Sequence, residues 1–159
     1  MHQMKHGESA KSGGHYKRLL AMTALSFVSM YVFMYAMVNA LGNVYPNLNQ
    51  FYMAGLMTAP MVIIELLVMS GMYPDRKRNA LILIASVAAL GLFWVGIRQQ
   101  TAITDRQFLK SMIPHHAGAI LMCEQSPSRD PEVLRLCQGI ISSQQDEIAW
   151  IKAKLEATK

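Results

Sequence analysis

Between Leu19 and Met72 the chain has a single side chain of the Asp, Glu, Lys, Arg or His kind, Glu65. The surface of a folded soluble domain is largely charged and polar, so a stretch this long with one charge points to lipid as its surroundings. Leu19 to Leu41 is apolar for 23 residues, about 34 Å of helix and enough to cross a hydrocarbon core of about 30 Å. The uncharged loop Gly42 to Gln50 carries turn formers at Gly42, Asn43, Pro46 and Asn47. Phe51 to Met72 is a second apolar run, interrupted by Pro60 and ended by Gly71 and Pro74. Ala80 to Ile97 is a third, with Trp94 near its end where an interfacial aromatic is expected. The expectation is three transmembrane helices, over 19–41, 51–72 and 80–97.

Charge returns after the third run, with eight basic and seven acidic side chains in residues 98–159. The chain therefore reads as a membrane anchor followed by a polar domain, expected over 103–157. Lys17 and Arg18 precede the first run, Arg76, Lys77 and Arg78 lie between the second and third, and the first loop has no cation. By the positive-inside rule this puts the N-terminus in the cytoplasm and the C-terminal domain outside, as in a bacterial inner-membrane protein with a periplasmic domain. The net charge of +5 resides mostly in the tail and that one loop, so it describes topology and excludes a nucleic-acid surface. Lys17 and Arg18 resemble a signal-peptide start, but the apolar run exceeds the roughly 7 to 15 residues of a cleavable signal, so the anchor is expected to stay.

Residues 1–18 lack hydrophobic periodicity and are expected to be a disordered tail. Its His2, Met4 and His6 alternate imidazole with thioether, a weaker candidate metal site, and incidental or tag-derived histidines are the alternative. Thirteen methionines exceed ordinary usage, although membrane helices use methionine as filler.

Glu65 is an intramembrane polar residue, and a carboxylate near mid-span costs about 2.5–3.5 kcal/mol on insertion scales. Met57, Met61 and Met69 flank it, and the first run offers Met30, Met34 and Met37. One reading is a methionine-lined cation path between spans one and two. The other is a protonated Glu65 hydrogen-bonded to Asn39, Thr58 or Tyr35, with the methionines as packing.

Thr104-Asp105-Arg106-Gln107 fits a capping box and starts a helix to about Gln125. Two prolines, Pro127 and Pro131, mark a turn, and Glu132 to Leu155 forms a second helix with Asp130 as its cap. Such a hairpin has little core of its own, so it is expected to pair with another copy into a four-helix bundle. If Cys123 faces Cys137, an antiparallel register puts His116 opposite Gln144 and Ile113 opposite Glu147. Outside the cytoplasm a disulfide between the two cysteines could form, given close helix approach.

Within the first of these helices, Pro114 is expected either to start a helix or to kink one. Met112, His115, His116, Met122 and Cys123 fall within an arc of about 120° on the helical wheel. Packing explains any one of them, but adjacent buried histidines bring four ring nitrogens that need partners. Met112, His115, His116 and Met122, with Glu147 in support, form the principal candidate metal site; thioether and imidazole suit copper, and copper(I) above zinc. No enzyme is expected: the Glu-x-x-His pairs of a di-iron bundle are missing, as is any paired nucleophile and base.

The run Phe108-Leu109-Lys110-Ser111-Met112-Ile113-Pro114-His115-His116-Ala117-Gly118-Ala119-Ile120, followed by Leu134, Ile140, Ile141, Gln144, Glu147 and Ile148, resembles the domain-of-unknown-function family 305. The resemblance covers about a third of the chain. It implies a ferritin-like helical hairpin exported from the cytoplasm, with copper bound through Met and His in some members. The fold expected is thus an all-α membrane protein, three transmembrane helices followed by an extracytoplasmic antiparallel hairpin that is half of a ferritin-like bundle. The function expected is a membrane-anchored copper-binding protein in copper homeostasis or tolerance, with the metal ion, the lipid bilayer and a second copy as partners. The alternative is a membrane-tethered self-association module whose histidines are structural.

Overall fold

The computed structural model describes the backbone from Met4 to Thr158 and side chains from Gly14 to Thr158; the side chains of His2, Met4 and His6 lie outside the described residues. Among the described residues five α-helices follow one another: α1 Met4–Phe33, α2 Leu48–Val68, α3 Arg76–Arg98, α4 Asp105–Glu124 and α5 Pro131–Ala157. Short 3-10 turns cover Met34–Met37, Leu41–Asn43 and Ser70–Met72, and the described residues include no strand. The chain divides into two compact units. One comprises the chain up to Tyr31 with Phe51–Thr101, the other Val32–Gln50 with Ala102–Lys159.

The first unit is built on three helices long and apolar enough to cross a membrane, Gly14–Met37, Leu48–Val68 and Arg76–Arg98. The boundaries differ from those the apolar runs suggest, for local reasons. Asn47 accepts from the Gln50 amide at 3.0 Å and so starts α2 three residues early. Asp75 accepts from the amides of Lys77 and Arg78, so the three basic residues expected in a loop form the first turn of α3. Helix α1 begins at Met4 where a tail without regular structure was expected, because extending a formed helix is far easier than nucleating one. It ends at Phe33 and not Leu41: Ala40 is extended, and Asn39, Gly42 and Asn43 do not continue a helix.

Leu19, Val62, Leu66 and Tyr73 form the core of this unit. The Tyr16 hydroxyl donates to Asn79 Oδ1 at 2.7 Å and its ring lies 5.3 Å from that of Tyr73, joining the start of α1 to the segment between α2 and α3. Gly55 permits close approach of Phe93, since a Cβ there would lie 2.4 Å from the ring. Otherwise the apolar side chains face outward: only 6% of the α1 window and 11% of the α3 window is buried, against 33% for α2. Between the three helices lies a cavity of about 470 Å³.

In the second unit α4 and α5 pack antiparallel around Ile113, Ala117, Ile120, Ile148, Ile151 and Leu155. Thr104 caps α4 through the Gln107 amide and Asp130 caps α5 through the Glu132 amide at 2.8 Å. Pro114 does not start a helix: it is buried inside α4, nine residues from the first, and the helix runs on to Glu124. The core is widened by residues 38–50, which sequence alone treats as the end of a span and a linker. Val38 and Tyr45 pack on the hairpin core. Lys152 Nζ donates to Asn43 Oδ1 at 2.6 Å, the Leu48 amide donates to Gln107 Oε1 at 3.1 Å, and Asn49 Nδ2 donates to Ser111 Oγ at 3.2 Å. The Gln107 side chain is thereby taken from the reciprocal half of the capping box.

Candidate metal site on the hairpin

Residues 115 and 116 stand about 100° apart on a helix, and the edge of the packed face of α4 falls between them. His116 is 4% exposed, beside Ile113, Ala117 and Ile120, whereas His115 is exposed. The ligand arc expected to face one way is thus split. Met112 goes inward with His116 and packs on the core cluster. Met122 goes outward, about 9 Å along the axis from His116.

His116 Nε2 lies 2.5 Å from Glu147 Oε2 on α5. An ionised carboxylate only accepts, so Nε2 carries the proton and donates it; in the tautomer with its one proton there, Nδ1 has a lone pair. Nδ1 is buried and has no partner among the described residues. Leaving such a group unpaired costs about 1–3 kcal/mol, so this nitrogen is the most conspicuous polar expense in the hairpin. The His115 ring meets the His116 ring edge-on, with centroids 5.9 Å apart. A carboxylate that fixes the tautomer and aim of one imidazole nitrogen, leaving the other as a donor, is the usual support for a metal-ligating histidine.

The register anchored on the cysteines holds at their end of the hairpin, but it does not give the partner of His116. Glu147, not Gln144, meets His116, because the carboxylate reaches nearly one helical turn along the seam. The cysteines themselves do meet: the Cys123 thiol hydrogen-bonds with Cys137, which together with burial pushes its pKa up to about 11. Both are free thiols. Among the described residues no three His, Cys, Asp or Glu side chains converge, so a metal ion held here would need thioethers or a second copy as well.

Within its own unit Glu65 is bonded to Tyr73 and not to Thr58. Tyr73 donates to its Oε1 at 3.1 Å, Thr58 is turned to the Ala54 carbonyl, Tyr35 donates to the Tyr45 carbonyl, and the Asn39 side chain accepts from Asn43. Burial and that hydrogen bond to Glu65 raise the Tyr73 pKa. Met34 and Met37 belong to the hairpin's unit, where Met37 lies against Gly118, and the cavity among α1, α2 and α3 has neither a methionine nor Glu65 in its wall. Sequence alone gives Asn43 and Gln107 local roles only, in a turn and a cap, and does not single out Lys152; their partners Lys152 and Leu48 lie far along the chain, and the signal was a loop rich in Asn yet free of charge.

The family described as Domain of unknown function (DUF305) matches residues 95–155, the end of α3 and nearly all of the hairpin. An uncharacterized protein, L153, of Acanthamoeba polyphaga mimivirus is 34% identical over 144 residues, 89% of this chain and 93% of that protein. No solved structure matches the chain. An alignment of 144 residues must take in most of the apolar helices as well as the hairpin. With the hairpin that carries Met112, His115, His116 and Glu147 inside the family match, and a relative alike along nearly its whole length, the chain belongs to the DUF305 family.

Proposed function

We propose that this protein binds copper at the outer end of a membrane anchor and takes part in copper homeostasis or tolerance. The observation that carries the reading is the pairing at His116: Glu147 holds Nε2–H while Nδ1, enclosed and unpartnered, keeps a lone pair beside the accessible ring of His115. Met112 shares the face of His116 one helical turn away, and thioether with imidazole favours copper(I) over zinc. In this reading His116 and Met112 hold the ion, His115 admits it from solvent, and Glu147 orients His116. A bound ion would supply Nδ1 with the partner it lacks. The anchor is α1, α2 and α3, with the hairpin on the non-cytoplasmic side; their outward apolar faces and the cations near Lys17 and Arg76 support this.

Metal analysis of the full chain, purified after growth in added copper and separately in added zinc, tests the proposal. Copper retained by the wild type and lost from a His115→Ala, His116→Ala double variant of unchanged helix content is the expected result. Equal copper in both proteins overturns it.

A self-association reading is favoured by a different observation, the exposed Leu136 and Trp150 on α5 and Phe108 on α4. These faces suit a second hairpin in a four-helix bundle, which would also bring a second His115 and Met122 to the site. An oligomer unaffected by metal or by the histidine substitutions would leave this as the function.

A further inference from the structure

The cavity among α1, α2 and α3 lies near the middle of all three helices, walled by Ala24, Phe27, Gly55, Ala59, Ala89 and Phe93 among others. Its size falls in the range of ligand pockets, about 300–1,000 Å³, and its wall tells what the ligand lacks. Three hydroxyls border it, Thr23, Thr58 and Ser86. Thr23 donates to the Leu19 carbonyl at 2.9 Å and Thr58 to the Ala54 carbonyl at 2.8 Å, so both are satisfied by their own helices. No charged side chain is among the lining residues and the Ser86 hydroxyl is the one polar group left to it, so the wall suits a hydrocarbon chain.

One end of the same unit has the opposite character. It carries Lys17 and Arg18 on α1 and Arg76, Lys77 and Arg78 in the first turn of α3, with the capping Asp75 beside them. Arg78 is engaged, 3.0 Å from Asp75 and 5.7 Å from the centre of the Tyr16 ring, while Lys17, Arg18, Arg76 and Lys77 are exposed. The bond of Tyr16 to Asn79 and its tilted contact with the Tyr73 ring bring the α1 and α3 contributions to this end together. Helix rise puts Thr23 about 8 Å from Arg18 and Ala85 about 12 Å from Lys77, the distance from a headgroup to the upper part of its acyl chain.

We infer that the three-helix unit binds an anionic phospholipid, one acyl chain filling the cavity and the phosphate headgroup resting on the cations at the Lys17 and Arg76 end. This rests on the membrane-anchor reading. It requires no copper and no particular orientation of the chain.

The test is native mass spectrometry of the full chain in detergent, offered phosphatidylglycerol or phosphatidylcholine with identical acyl chains. Wild type should retain phosphatidylglycerol about tenfold better. The exposed substitutions Arg76→Gln and Lys77→Gln, which disturb no core, should bring the two lipids level. Ala59→Leu with Ala89→Leu, which fills the cavity, should lose both lipids at unchanged helix content. Equal retention of the two lipids by wild type overturns the headgroup assignment. Undiminished retention by the filled variant, or a dimer that excludes lipid, overturns the cavity as the chain's seat. Carbonate washing of membranes separates the underlying reading: a chain released into the supernatant is no membrane anchor, whereas one that stays and shows no lipid preference defeats this inference alone.

Discussion

Across the hairpin seam, buried His116 donates from Nε2 to the Oε2 of Glu147 at 2.5 Å, joining residues 31 apart in sequence. The carboxylate is 55% exposed and the imidazole 6%, so Glu147 is the route by which a buried ring keeps contact with water. Removing it strands the second ring nitrogen as well as the first.

Glu147→Ala should therefore destabilise the hairpin by about 1–2 kcal/mol, in the lower part of the range for an unpaired buried donor because the partner is half in water. Glu147→Gln keeps an acceptor oxygen and should lose less than half as much. Thermal melts of the detergent-solubilised chain measure both, and an unchanged midpoint for the alanine variant would show that the bond contributes nothing.

Lys152 and Asn43 tie residues far apart in sequence at 2.6 Å, with Asn43 buried. Asn43→Ala should cost about 1.5–3 kcal/mol, the range for a hydrogen bond to a charged group. Hydrogen exchange locates the effect: amides of residues 38–47 should exchange at least tenfold faster while those of α2 and α3 stay as in wild type.

For Cys123 the raised pKa of about 11, set first by its bond to Cys137, predicts slow alkylation. At pH 8 the thiolate fraction falls by about two orders of magnitude from that of an ordinary thiol, and the greater intrinsic nucleophilicity of a high-pKa thiolate recovers about one. Net alkylation should be roughly tenfold slower than for an unhindered cysteine, and Cys137→Ala should speed it. The folded state holds this proton more tightly than the unfolded one, so the stability it confers is complete below about pH 8.5. It is lost as pH rises towards 11.

Gly55 offers a test of packing in the first unit, because its missing Cβ is where the Phe93 ring lies. Gly55→Ala should lower stability by about 1–3 kcal/mol through overpacking, despite the better helix propensity of alanine. Phe93→Leu should restore most of the loss. A fully stable alanine variant would mean that the ring moves aside freely.

The kind and number of helices followed from the sequence alone, because apolar run length and caps act within a few residues of themselves. The three apolar helices and the caps Thr104 and Asp130 could be read that way. The bounds of α2 and α3 shifted by a few residues where Asn47 and Asp75 capped helices that hydropathy started later. The tertiary structure alone decided which side of α4 is buried, and with it the division of labour between an enclosed His116 and an exposed His115. Helical spacing places two adjacent histidines near one face but cannot say where the packed edge runs. The sequence put Glu147 in support of the histidines but could not say that His116 is the one it meets, nor that Asn43 and Tyr45 close over the hairpin core. Those contacts depend on how two helices settle against each other and against a returning loop, an arrangement set by side-chain volumes from distant parts of the chain and not by the pattern of any one segment.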